Sequence, residues 1–250
     1  MRSALCKCCD RSDVDWTPAE PARAPHAFMS DVVDYLAVTF GCLNRVPATV
    51  RDALHFTSCT QIARALLDVL AGTGDDAAAG ALPFGHVPAI NMFGIHRLSL
   101  DLRQLEEYAA GCAVANLREC FAELRQTLQL LLGGKLEEHA LDPVARFEMY
   151  PYVSLEKLAR ILEKYREPPA AGLVGGLGFG AARGVHVRRL RRKTVDFVLG
   201  KLRRGAATQA QRERQQRAAE DAARRQERER VAPAPKKKFS LFGRLRGGKK

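Results

Sequence analysis

The feature that most constrains this chain is a succession of apolar stripes at helical spacing, each closed by Gly or Pro, with no alternating run of β-branched residues between turns. Side chains that recur at three and four residues share one face of a helix, whereas a strand would scatter them over both faces. The chain is therefore read as all-α.

The stripes follow one another in order. Val33, Leu36, Val38, Phe40 and Leu43 predict a first helix, with Ser30 as its N-cap and Asp31 in its first turn. Pro47 suits the first turn of a second helix of about 25 residues carrying Val50, Leu54, Ile62, Leu66, Val69 and Leu70, stopped by Gly72 and Gly74. Beyond a Gly, Asp and Pro loop, Ile90, Phe93, Leu98, Leu102, Leu105 and Tyr108 predict a third. A fourth is expected over residues 114–132 and a fifth over 154–165. After a glycine-rich link, Val187, Leu190, Val195, Val198, Leu199 and Leu202 make a sixth, basic amphipathic helix.

Ahead of these elements, Pro18, Pro21 and Pro25 deny residues 1–27 both a helical ladder and a sheet edge, so this stretch reads as an extended strap. Residues 206–230 are almost entirely Ala, Gln, Arg and Glu without an apolar stripe, so any helix there is a solvent-exposed spacer. The expected organisation is a strap at 1–27, a helical domain at 28–204 and a charged spacer and basic tail at 205–250.

Charge divides the same way. The formal net charge is +12, yet residues 201–250 hold 17 Lys/Arg against 5 Asp/Glu, which leaves 23 of each sign in residues 1–200. A neutral body with a basic terminus argues against a nucleic-acid-binding globular surface and for a tether to something acidic. In the terminal KKKFSLFGRLRGGKK, Phe239, Leu241, Phe242 and Leu245 stand among seven cationic residues. Lys236, Lys237, Lys238, Phe239, Phe242, Arg244 and Arg246 are the candidate contacts with an anionic membrane surface, where each basic residue contributes about 1 kcal/mol. RNA and acidic protein remain alternatives for the same tail, which would make the chain a membrane- or nucleic-acid-binding adaptor. No run reaches the roughly 18 apolar residues needed to span a bilayer.

Catalytic and metal signals are weak. Cys6, Cys8 and Cys9 lie together in CKCCD, but no second pair at zinc-ligand spacing follows, so they read as incidental thiols. Gly175, Gly176, Gly178 and Gly180 lack the preceding strand and following acid of a dinucleotide loop and read as a linker. The basic run Arg188–Lys193 suits a solvated helix face. No cofactor, metal or catalytic residue is expected. Seven cysteines without a leader pattern predict reduced thiols and a cytoplasmic address.

Several motifs stand in a recognisable order. The segment SDVDWTPAEPARAPHAFMSDVVDYL, then LSLDLRQLEEYA, then SLEKLARILEKYRE and RRKTVDFVLGKLRR resembles the C-terminal domain of the exocyst complex component 6 family, over about residues 13–204. The resemblance implies an elongated helical bundle of the rod-like vesicle-tethering superfamily, with a disordered or single-helix basic tail added. It also implies a non-enzymatic role in the exocyst during exocytosis, peripheral at a vesicle or the plasma membrane. The implied partners are other exocyst subunits and a GTP-loaded Rab family GTPase; nucleic acid is an unlikely one. By the same resemblance, Leu98, Ser99, Asp101 and Leu102 are the candidate GTPase-binding residues, although the spacing of Leu98 and Leu102 suits a buried face equally well. The chain departs from the family pattern at Ser99 and in the stretch GGKLEEHALDPVARFEMY.

Overall fold

A computed structural model describes residues 14–73, 87–168, 187 and 190–231, and every regular element among them is helical. The chain divides into two compact units, Met1–Arg204 and Gly205–Lys250. In order, the α-helices are α1 (Ala27–Gly41), α2 (Ala48–Ala71), α3 (Met92–Gly111), α4 (Ala122–Leu132), α5 (Leu136–Leu141), α6 (Pro143–Met149), α7 (Leu155–Lys164) and α8 (Arg192–Val231). Short 3-10 turns at Cys42–Arg45 and Leu117–Phe121 precede α2 and α4.

In the first unit α3 packs against α1 and α4, and α2 against α4 and α7. The core these helices enclose includes Leu36, Leu67, Leu98, Leu105, Phe121, Leu128, Ile161 and, from the start of α8, Val195 and Val198. Backbone pairing closes the bundle where Ile90, just before α3, bridges Tyr165, just after α7, in parallel sense. The Tyr165 hydroxyl donates to the Leu190 carbonyl at 2.7 Å, tying the end of α7 to the approach of α8.

Local chemistry explains the boundaries. Gly72 takes the left-handed conformation (φ 69°) that ends α2, a geometry costing a side chain energy and glycine little. The Lys164 ammonium donates to the Leu70 carbonyl nearby, and burial lowers its pKa, with Arg160 adding to the shift and Glu163 opposing it. Ser154 caps α7 through a bond from the Lys157 amide.

Several sequence expectations shift. The first helix begins at Ala27, not Ser30, and its buried stripe is Phe28, Met29, Val32, Leu36 and Phe40, which turns Val38 out to solvent. The buried line of α2 runs through His55, Cys59, Ile62 and Leu66, so Val50 and Leu54 lie off it and are exposed. The fourth helix is not continuous from residue 114, because Asn116 adopts φ 59° and the chain passes through a 3-10 turn before α4. Two short helices, α5 and α6, occupy a stretch for which the periodicity gave no element. Beyond Arg204, α8 continues to Val231, and every residue of 205–220 whose side chain is described is exposed. The CKCCD cysteines, the glycine-rich link and the tail residues Lys236, Lys237, Lys238, Phe239, Phe242, Arg244 and Arg246 lie outside the described residues.

Candidate partner-binding surface

Helix α3 carries the four residues assigned to GTPase recognition, and its two faces separate them. Leu98, Asp101, Leu102 and Leu105 recur at i, i+3, i+4 and i+7, the spacing of one buried face. Leu98 and Asp101 are 0% exposed and Leu102 is 4% exposed. Ser99 is half-buried on the other side, its hydroxyl donating to the His96 carbonyl at 2.6 Å. Among the four, only Ser99 is positioned to meet a partner without opening the core.

Asp101 has a structural task instead. Its Oδ1 accepts from the His26 backbone amide at 2.6 Å, and its Oδ2 from His26 Nδ1 at 2.5 Å. A buried carboxylate is costly without partners, and His26 supplies two donors at the point where the strap becomes α1. The His26 ring stacks on Phe28 and lies tilted to Trp16.

The strap is held at a second point. Asn91 caps α3 by accepting from the Phe93 and Gly94 amides, while its Nδ2 donates to the Pro18 carbonyl at 2.8 Å and its amide to Trp16 O at 3.2 Å. Gly94 makes room for this: a Cβ there would stand 2.2 Å from Trp16 O. Burial lowers the pKa of His96, against an opposing pull from the Ala22 backbone. The acidic-Trp-Pro strap and the D-containing helix, distant in sequence, are therefore two halves of one seam.

The outward face of α3 presents Ser99, Leu100, Arg103 and Glu107, with Arg103 Nε donating to Glu107 at 3.0 Å. Glu106 leaves this face to bind Arg125 of α4, and Gln104 reaches Ser30 Oγ of α1 at 3.1 Å.

Among the described residues the Cys59 thiol and the Tyr108 hydroxyl are held in their neutral forms. Burial pushes the Cys59 thiol up to about 12, with Cys120 and Cys112 adding to the shift, so it stays protonated and unreactive at neutral pH. Burial also raises the Tyr108 hydroxyl, assisted by its bond with Cys112. A cleft of about 240 Å³ is lined by Phe40, Arg51, His55, Tyr108 and Cys112, but His55 stacks on Phe40 and spends Nδ1 on the Arg51 carbonyl. Among the described residues no group of His, Cys, Asp and Glu is arranged to hold a metal, and no helix is long and apolar enough to cross a membrane.

His26 and Asn91, which the motif reading passed over, carry the polar half of the seam. The signal for Asp101 was present: an acid on the same stripe as three leucines is a buried acid in search of donors.

Comparison with known proteins gives the family. The family model described as exocyst complex subunit Sec15 C-terminal matches residues 2–164. Exocyst complex component SEC15B of Arabidopsis thaliana is 24% identical over 199 residues, covering 76% of this chain and 23% of that protein. Exocyst complex component 6 of Caenorhabditis elegans is 23% identical over 212 residues, covering 81% and 23%. The Homo sapiens protein of the same name is 22% identical over 161 residues, covering 62% and 18%. The chain thus spans less than a quarter of the length of these relatives. No solved structure gives a significant match. With well over half of its length under the family model, the chain belongs to the exocyst Sec15 C-terminal family.

Proposed function

We propose that this chain serves as a non-enzymatic part of an exocyst vesicle-tethering subunit in exocytosis and recognises a GTP-loaded Rab family GTPase through the outward face of α3. The family match over residues 2–164 carries this reading. Ser99 and Leu100 offer a small polar and an apolar contact, and the exposed Arg103 and Glu107 flank them, an arrangement suited to a helix-face interface with a polar rim. Leu98, Asp101 and Leu102 act from behind, fixing the register of that face.

The test is capture of the full chain by a panel of Rab GTPases loaded with a non-hydrolysable GTP analogue or with GDP. GTP-dependent capture that is lost in Ser99→Arg, with the helical circular dichroism unchanged, supports the reading. Equal capture in both nucleotide states, or by Ser99→Arg and the native chain alike, sinks it.

The basic tail supports a second, compatible activity: peripheral binding to anionic membrane through Lys236, Lys237, Lys238, Phe239, Phe242, Arg244 and Arg246. Its charge and interleaved aromatics favour this reading. Removal of residues 232–250 should abolish sedimentation with phosphatidylserine vesicles and leave GTPase capture intact; persistent sedimentation would reject it. RNA binding, the alternative, would fall steeply with added salt in the absence of lipid.

A further inference from the structure

Four of the nine large apolar side chains exposed among the described residues fall within nine consecutive positions: Val144 at 65%, Phe147 at 78%, Met149 at 55% and Tyr152 at 60%. They belong to α6 and the turn after it. Helix α6 buries none of its seven residues. Its apolar side chains are therefore not what holds it in place.

The segment is fixed by its ends. The Asp142 carboxylate accepts from the Val144 amide at 2.9 Å, and Pro143 opens the helix. Arg146 donates to the Ala140 carbonyl at 3.1 Å, and the Tyr152 amide donates to Gln126 Oε1 of α4 at 2.9 Å. Leu136 and Ala140 before it, and Tyr150 and Val153 after it, are in the core. A segment so anchored presents its apolar side chains in a set arrangement, which lowers the ordering cost of binding.

The rim of this face is acidic. Glu137, Glu138, Asp142 and Glu148 are exposed, and Glu148 lies one turn on from Val144, at i+4. Of the nearby cations, Lys135 pairs with Glu138 at 3.2 Å and Arg146 donates to the Ala140 carbonyl, so Glu137, Asp142 and Glu148 outnumber the remaining positive charge. Carboxylates around an apolar patch repel the phosphates of an anionic membrane or a nucleic acid. A second copy of the chain would set the same carboxylates against themselves.

We propose that the α6 face docks an amphipathic helix of another protein, one whose apolar stripe is flanked by Lys and Arg. Phe147 and Val144 fill the stripe, and Glu148 with Asp142 pairs the flanking cations. The site uses a different helix from the proposed GTPase contact and does not rest on that reading.

The probe is a fluorescein-labelled Leu/Lys amphipathic peptide of about 18 residues, long enough to form a helix. A Leu/Glu peptide with the same apolar stripe is the comparison, and anisotropy with the full chain is the readout. The net charge of +12 opposes adventitious attraction of the cationic peptide. We expect saturable binding of Leu/Lys alone, weakened about tenfold or more by Phe147→Ser and by Glu148→Lys, unchanged by Glu20→Lys, with circular dichroism preserved throughout. Native-like binding by Phe147→Ser, or equal binding of the Leu/Glu peptide, overturns the proposal. So does a native dimer in sedimentation that Phe147→Ser dissolves, since a second copy would then cover the face. GTPase capture should be the same for native chain and Phe147→Ser, which separates failure here from failure of the α3 reading.

Discussion

The strap seam and the α5–α6 segment both begin a helix with an Asx cap, Asn91 in one and Asp142 in the other, and from that shared device they go opposite ways. At the seam, polar groups are driven inward: Asp101 is wholly buried and each of its oxygens meets a His26 donor. At α6, apolar groups are left outside, with Phe147 the most exposed large side chain of the set. The difference teaches that residue type alone does not locate a contact surface. A motif acid can be core and a helix phenylalanine can be surface, depending on which neighbours the fold brings over them.

The largest break in this comparison should come from Asp101→Ala. It strands two buried donors of His26 and should cost about 3–5 kcal/mol in urea unfolding. If stability is unchanged and only partner capture falls, Asp101 is a contact residue after all and the seam reading fails.

Next in size is Gly94→Ala, which sets a methyl against Trp16 O and should cost about 1–3 kcal/mol as the strap is displaced. Trp16 is the sole tryptophan, so its emission should shift to longer wavelength as the strap lifts. An unmoved spectrum would mean that the backbone accommodates the methyl without moving the strap.

A smaller loss, about 1 kcal/mol, is expected from Asp142→Ala, which removes the α6 cap without touching the core. Hydrogen exchange should speed up in residues 143–149 and stay unchanged in α3. Exchange that speeds up across both helices would show that the two regions are coupled rather than separate.

The smallest effect sharpens the comparison most. Phe147→Ser should alter stability by no more than about 0.5 kcal/mol, because the side chain it removes packs on little. A loss of several kcal/mol would reveal α6 as part of the core.

The division between what was legible in the sequence and what was not follows the range of the interactions. Helical class, the approximate bounds of α2, α3 and α7 and the Gly72 stop depend on neighbours within a few residues, and the 3.6-residue period and cap chemistry report them directly. The order of motifs was also enough to point to the family. In the first stripe only Val38 departs: Leu36 and Phe40 are buried and Val33 and Leu43 pack against the core, whereas Val38 faces solvent. Three of the four candidate GTPase contacts, Leu98, Asp101 and Leu102, are buried, and the spacing of Leu98, Asp101, Leu102 and Leu105 already described a buried stripe.

By itself, then, the sequence determined that this chain is helical, roughly where α2, α3 and α7 start and stop, and that its positive charge is concentrated at one end. Only the tertiary structure decided that His26 and Asp101, 75 residues apart, close on each other, that Gly94 is small for the sake of Trp16, and that α6 keeps its apolar side chains in water. The physical reason is that helix formation is settled by hydrogen bonds four residues long. Burial depends on which distant segments arrive to displace the solvent, and the local sequence carries no record of them.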